Sequence, residues 1–574
     1  MQYKRHRFHG PELFAASSRF AEAITIDYVS CCSSARRYIS DHYWRIERSY
    51  WPPLLTFPYG CCATMAVPRW FSVRYTQCDI LKLGVREVTM RIFITGATGF
   101  IGRALTLRLL GTGHQVTAWV RDENRARSLL GSDVELVSTN SSMGEQISQA
   151  YAVINLAGEP VLGGRWTASR KRAIVESRLN LTRAIATAIA GSSSRPSVLI
   201  SASAVGYYGD RGDENVEDDT AAGNDFLASL CRNWEAAALE AQKYGTRVFV
   251  PRLGIVLGAE EGALARMVLP FRFGAGGPIG SGHQYVSWIH IDDLIEILVA
   301  ALLEERFSGP LIAAAPNPVT SRQLARAIGV VLHRPSVLPA PGLALRILLG
   351  EAGAILLTGQ QVHPRRLEQL GFVWRYPEIE TALADILKDD DVRIERFNEF
   401  ATKPLVSTAS NYLSGHQPHF VLSHKTRVEA PIEEVFRFFS KPQNLGVMVP
   451  RALRFRILSE MPHEIRAGLR IEYAIHLGPV PLRWRTCIEE WKPPDLFADS
   501  QESGPYHCWW HEHHFQPDVD RTLMEDRVYY TPPLGFVGTV ANLLFVAPAL
   551  RRIFWYRRQA LRLRFPDVRN WRGA

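Results

Sequence analysis

Past its first ninety residues the chain holds few cysteines. Five of the eight (Cys31, Cys32, Cys61, Cys62, Cys78) precede Met90, and Cys231, Cys487 and Cys508 stand singly. Neighbouring pairs without CxxC spacing make poor zinc ligands, and scattered single thiols exclude a disulfide framework. A reducing, cytoplasmic setting is therefore expected. A lysine-rich tail is missing, and no basic stripe is interleaved with aromatics; the formal charge of +9 over 574 residues is modest, so nucleic acid is not an expected partner. The start lacks the apolar core of a signal peptide. The uncharged run Thr531–Leu550 is long enough for a membrane span, but Pro532, Pro533, Gly535, Gly538, Asn542 and Pro548 interrupt it. It reads instead as the cavity-covering start of a terminal helix, with no integral membrane segment.

What is present describes a globular chain of two or three domains, 47% hydrophobic and 21% charged. Residues 1–89 mix Arg, Tyr, Trp and Cys without periodicity and read as an extension with no packed fold, or as the product of a start codon placed too far upstream. Glu12, Glu22 and Asp27 argue against an organellar targeting segment there.

The working chain opens at Met90 with MRIFITGATGFIG. An apolar strand (Ile92, Phe93, Ile94) runs into Gly96, Thr98, Gly99, Phe100, Ile101 and Gly102, and a helical pattern follows to Leu110. Strand, glycine turn and helix are what a dinucleotide pyrophosphate requires. Gly96 permits the tight turn, Gly99 lets backbone amides approach the phosphates, and Gly102 lets the helix pack on the strand. Apolar runs at Val116–Val120, Val134–Val137, Ala152–Leu156, Val198–Ser201 and Val248–Pro251 alternate with helical stretches, which predicts a doubly wound parallel sheet. The run Val116–Val120 ends AWVRD. Asp122 there suits the ribose hydroxyls of NAD, whereas Arg121 suits the 2′-phosphate of NADP; Arg121 comes first, so NADP is expected over NAD. The run Ala152–Leu156 continues into Ala157 and Gly158, and Val198–Ser201 runs into SASAVGYYG, placing small residues where a nicotinamide and a small-molecule substrate would lie.

TGATGFIG, NLAG, SASAVGYYG, RLGIVLG and WIHIDDL together resemble the extended short-chain dehydrogenase/reductases, the sugar-nucleotide epimerase and dehydratase family, over about 310 residues (90–400). RWTASRKRAIVESRLNLT, GAGGPIGSGHQYVSWIHIDDL and GEAGAILLTGQQVHPRRLEQLGF are similar to one subgroup, the epimerase family proteins, whose substrates are generally unassigned. The resemblance implies a Rossmann-like sheet, a small substrate lobe completed by about 345–387, a glycine-rich segment (254–282, with Phe271, and with Gln284 and Trp288 just after it) closing over the substrate, and a catalytic serine at Ser203. It also implies a Tyr-x-x-x-Lys relay. Matching Glu235 to the glutamate that usually follows this motif puts Leu227 and Cys231 at the two positions, and neither can replace a phenol or an ammonium. Tyr207 and Tyr208 follow Ser203, and Tyr207 is the candidate replacement acid. Lys171 and Arg172 are weighed as anion ligands against a surface role, and His290 and Asp292 as structural.

A linker over 401–417 precedes a change of architecture. A strand, the helix PIEEVFRFFSK, six strand-like runs and a terminal helix near Val540–Arg564 make an α+β helix-grip plan over 418–574. The order of elements resembles the START-like ligand-binding superfamily and implies an apolar ligand in a cavity. His511, Glu512, His513 and His514 lack HExxH spacing, so no metal is expected. The reading is an NADP(H)-binding oxidoreductase or epimerase-like protein fused to an apolar-ligand domain; the alternatives are a non-catalytic sensor and a hydrophobic-ligand carrier.

Overall fold

The computed structural model describes residues 89–567 apart from 260, 390, 399–403, 461–464 and 478–479. The extension expected over 1–89 lies, but for its last residue, outside the described residues. Eight strands form the first sheet: β1 (Arg91–Thr95), β2 (Gln115–Val120), β3 (Glu135–Ser138), β4 (Ala152–Asn155), β5 (Val198–Ser201), β6 (Ser203–Ala204), β7 (Arg247–Leu253) and β8 (Gly309–Ala313). Their order is β8-β7-β5-β4-β1-β2-β3, with β6 also beside β7, and every pairing is parallel. The order reverses between β1 and β4, which opens a crevice at their carboxyl ends.

Ile92, Phe93 and Ile94 are fully buried because helices cover both faces. Ile92 and Ile94 meet α1 (Phe100–Gly111), α2 (Glu123–Leu130) and α5 (Ile291–Leu303), whereas Phe93 faces α3 (Ala168–Gly191) and α4 (Phe226–Leu239). A smaller lobe packs its own core around Leu264, Phe271, Trp288, Leu324, Ile328 and α6 (Ile379–Leu387).

The second sheet has eight antiparallel strands: β9 (Val392–Arg396), β10 (Phe420–Val428), β11 (Arg456–Ile457), β12 (Arg470–Leu477), β13 (Val480–Lys492), β14 (Leu496–Ser503), β15 (Cys508–Asp518) and β16 (Arg521–Thr531). Their order is β9-β10-β16-β15-β14-β13-β12-β11. The sheet thus begins ahead of residue 418, since β9 pairs along β10 from Val392 with His424 to Arg396 with Phe420. Within 401–417, a helix at Ala409–Gly415 buries Ala409 and Leu413, so the described part of that segment is packed rather than a free linker.

Two helices cover this sheet, α7 (Ile432–Phe439) and α8 (Ala547–Arg564). Between α8 and the sheet lies a cavity of about 190 Å³ lined by Tyr473, Trp484, Tyr506, Trp509, Ile553 and Phe554 among others. The expected cover over Thr531–Leu550 takes a different form. Leu534 stands in the left-handed region (φ 70°) and turns the chain away, so Phe536, Leu543 and Phe545 are exposed and the cavity is lined only from Ala549 onward. Gly535–Arg564 is long and apolar enough to cross a membrane by length and composition, with 22% of its most apolar window buried.

α8 joins the domains. Gly111 at the end of α1 leaves no room for a side chain, because a Cβ there would lie 2.3 Å from the Arg564 carbonyl oxygen. Leu107 of α1 packs with Ala560, Leu561 and Phe565.

Candidate functional site

The crevice between β1 and β4 is where the glycine turn sits. Gly96 holds φ 77°, and a Cβ there would lie 2.7 Å from the Ala157 amide nitrogen. At Gly102 a Cβ would lie 2.2 Å from the Gly96 carbonyl oxygen. Both glycines are therefore demanded by the protein's own backbone. Gly99 differs: it caps α1 with φ −78° and no side-chain cap, and a Cβ would meet only the Gly96 oxygen, at 3.2 Å. α1 thus begins with open amides and the positive end of its dipole, a cradle that fits a pyrophosphate. Phe100 and Ile101 contribute their amides to that first turn. Their side chains pack into the protein, Phe100 against Gly258 and Ile101 against the core. Leu156, Ala157 and Gly158 form the opposite wall, and Arg178 lies against Gly158.

Beneath the crevice is a buried polar network. Asn155 Oδ1 accepts from Thr95 Oγ1 (2.7 Å), and its amide donates to Thr182 Oγ1 (2.9 Å) and Ser201 Oγ (3.2 Å). At the end of β2, Asp122 Oδ1 accepts from the Arg125 amide (2.9 Å) and caps α2. Arg121 is exposed.

Ser203 and Tyr207 both converge on Arg252 of β7, Tyr207 directly and Ser203 through Glu235. Ser203 Oγ donates to Glu235 Oε1 (2.6 Å), and Arg252 grips both Glu235 oxygens through Nε and Nη2 (2.9 Å each). Arg252 Nη1 donates to the Tyr208 hydroxyl (2.9 Å) and to the Asp218 carbonyl (3.0 Å), while the Tyr207 ring lies 3.5 Å from Arg252 Cζ. The Glu235 and Arg252 side chains are each 5% exposed. Burial, reinforced by Glu235, pushes the Cys231 thiol up to about 11, so the group where the resemblance implies a lysine is a neutral thiol. Leu227 packs on Gly206. Neither Glu235 nor Arg252 is marked as a site residue by its local sequence; the signal for Arg252 is a charge buried within the apolar stretch of strand RVFVPRL.

Other expected residues have structural duties. Lys171 pairs with Glu351 (2.6 Å) over the Phe226 ring, and Arg172 is exposed. His290 is buried, stacks on Tyr376 and lies 3.4 Å from Asp385. Phe271 and Trp288, expected to line the site, are core residues of the lobe. Gln284 holds the lobe's own backbone, donating to the Ile279 and Leu356 carbonyls.

In the second domain His511 and His513 share one face of β15 and line the cavity with Asp499 and Arg557. Ligand atoms of Asp499, His511 and His513 lie within 4.8 Å of one another. Asp526 Oδ1 also meets His511 (3.2 Å), His513 (2.7 Å) and Arg557 (2.8 Å), so its carboxylate charge is met by a guanidinium and imidazoles. Burial, with His513 beside it, pushes His511 down to about 4. Glu512 faces the other way and accepts from the Leu405 and Val406 amides.

Residues 92–311 match the NAD dependent epimerase/dehydratase family, and 340–386 match a domain of unknown function, DUF1731. The chain is 38% identical to epimerase family protein SDR39U1 homolog, chloroplastic, of Arabidopsis thaliana over 59% of its own length and 98% of the relative's. It is 36% identical to epimerase family protein YfhF of Bacillus subtilis, covering 52% of this chain and 99% of that one. Among solved structures it is similar to human epimerase family protein SDR39U1 with NADPH, at 35% identity and TM-score 0.47 over 52% of this chain and 99% of that chain.

Proposed function

The chain belongs to the NAD dependent epimerase/dehydratase family, and from that premise we propose that it is an NADP(H)-dependent oxidoreductase acting on a small carbonyl compound. The observation that carries the reading is the uncapped start of α1 in the crevice between β1 and β4, cradled by Gly96, Gly99 and Ala157. Preference for NADP(H) is supported at the ribose end: the Asp122 carboxylate caps α2, and exposed Arg121 is left to meet a 2′-phosphate. When bound, the nicotinamide supplies or accepts the hydride. Ser203 polarises the substrate carbonyl by turning its hydroxyl from Glu235 to the substrate oxygen. Glu235 is not stranded by this, because Arg252 still holds both its oxygens. Tyr207 donates the proton, its ring fixed against Arg252.

The helix-grip arrangement of the second domain supports a START-like role for its aromatic-lined cavity, with an apolar compound as ligand. Buried, unpaired Cys231, Cys487 and Cys508 support a cytoplasmic setting.

A second reading, a non-catalytic sensor of NADP(H), is favoured by Leu227 and by the neutral thiol of Cys231 at the relay positions. Absorbance of NADPH during a broad carbonyl screen separates the two. Oxidation is expected with at least one compound, and Tyr207→Phe should remove it while cofactor titration stays unchanged. A flat trace with every carbonyl would establish the sensor.

A further inference from the structure

One segment of the second domain faces two ways. Met448, Val449, Leu453 and Phe455 line the apolar cavity. Between them, Arg451 reaches the first domain, where Nη1 lies 3.3 Å from the Thr98 carbonyl oxygen and 3.1 Å from Glu261 Oε2. Thr98 directly precedes Gly99, the cap of α1. Glu261 is shared with Arg103, 3.7 Å away. Two guanidiniums around one carboxylate leave net positive charge beside the open amides. A guanidinium carries five N–H donors in a fork suited to phosphate oxygens, and these two contacts use Nη1 alone. The segment is held in place on α2. A Cβ on Gly446 would lie 2.0 Å from the Ser128 carbonyl oxygen, and Lys441 pairs with Asp133 (2.6 Å).

We propose that Arg451 is part of the dinucleotide site: the second domain supplies a guanidinium that binds the cofactor's pyrophosphate above the glycine turn, exchanging Glu261 for phosphate oxygens. The site is then complete only in the two-domain chain. The geometry alone would also serve an interdomain strut, in which Arg451 merely clamps Glu261. The two roles predict opposite behaviour of Glu261, because a strut needs the carboxylate and a phosphate ligand competes with it.

The inference rests on the cofactor reading above, and titration of the full chain with NADPH, followed by cofactor fluorescence beside a melting curve, tells the two apart. Arg451→Gln is expected to raise the Kd about tenfold or more, the usual size of a lost charge-assisted contact. Glu261→Gln should leave the Kd unchanged or lower it. Arg451→Lys should fall between wild type and Arg451→Gln, since an ammonium keeps the charge and loses the fork. Arg451→Gln binding like wild type would overturn the proposal, as would Glu261→Gln weakening binding to the same degree. If Arg451→Gln does not fold, Arg451→Lys decides: a wild-type Kd overturns it and an intermediate one supports it. Wild-type protein that binds neither NADPH nor NADH would remove the cofactor reading itself, and this inference with it.

Discussion

Ser203, Glu235 and Arg252 behave as one buried group, because each satisfies the next. Ser203 contributes one neutral donor, whereas Glu235 carries the charge that balances Arg252 at a site only 5% exposed. Glu235→Gln would leave a guanidinium buried without a counter-charge and should cost about 3–5 kcal/mol. Ser203→Ala removes one hydrogen bond while the ion pair stays whole, and should cost about 1 kcal/mol. Urea unfolding of the two variants measures both; equal losses would mean that Arg252 is balanced by something other than Glu235. Leu227 and Cys231 precede Glu235 on α4, and the Ser–Glu–Arg cluster meets that helix one turn beyond Cys231.

At the scale of the element, the glycine turn separates folding from binding. A methyl at Gly102 would be driven against backbone atoms of Gly96 and Ala97, neither of which can rotate away. Gly102→Ala should therefore cost about 3 kcal/mol or more and lower the melting temperature sharply. At Gly99 the backbone is extended and the nearest atom is 3.2 Å away, so Gly99→Ala should keep a near-wild-type melting temperature. In the proposed cofactor site its methyl stands where phosphates approach the amides of α1, so cofactor affinity should fall. Paired thermal melts and cofactor titrations check this. A Gly99→Ala protein that binds normally would show that the phosphates approach α1 from another side.

At the scale of the whole molecule, α8 ties the two domains through charge as well as packing. Arg562 reaches Asp385 (3.1 Å) and Asp292 of the first domain, and burial notwithstanding, these carboxylates hold its pKa above the ordinary arginine value. Arg562→Leu removes the cation shared by both acids at the seam and leaves them His290, 3.4 Å from Asp385 and 4.0 Å from Asp292. The expected loss is roughly 2 kcal/mol, less than for a fully enclosed pair because 27% of the Arg562 side chain meets solvent. Calorimetry of this variant should resolve two transitions where the parent gives one, as the domains lose their coupling. A single unshifted transition would assign the coupling to the other contacts across the seam, the apolar packing of Leu107 and Phe565 and the ion pairs of Arg451 and Lys441.

Much of this was determined locally and so was legible in the sequence. The unbroken apolar run of β1 must be covered on both faces, and a strand that ends in Gly96, Gly99 and Gly102 before a helix has few other uses, because sterics and backbone hydrogen bonding act over a handful of residues. The alternating runs of the second domain announced its antiparallel strands for the same reason. Other features depended on partners far along the chain. β9 looked like the tail of the first domain, since VRIER carries too little apolar character to declare a sheet; its partner strand begins at Phe420. Ser203 and Glu235 are 32 residues apart, Glu235 and Arg252 are 17 apart, and Arg451 meets Thr98 across 353. Periodicity says which face a residue shows, but which charge stands opposite is decided only when the elements pack, where burial makes an unpaired charge too costly to leave alone.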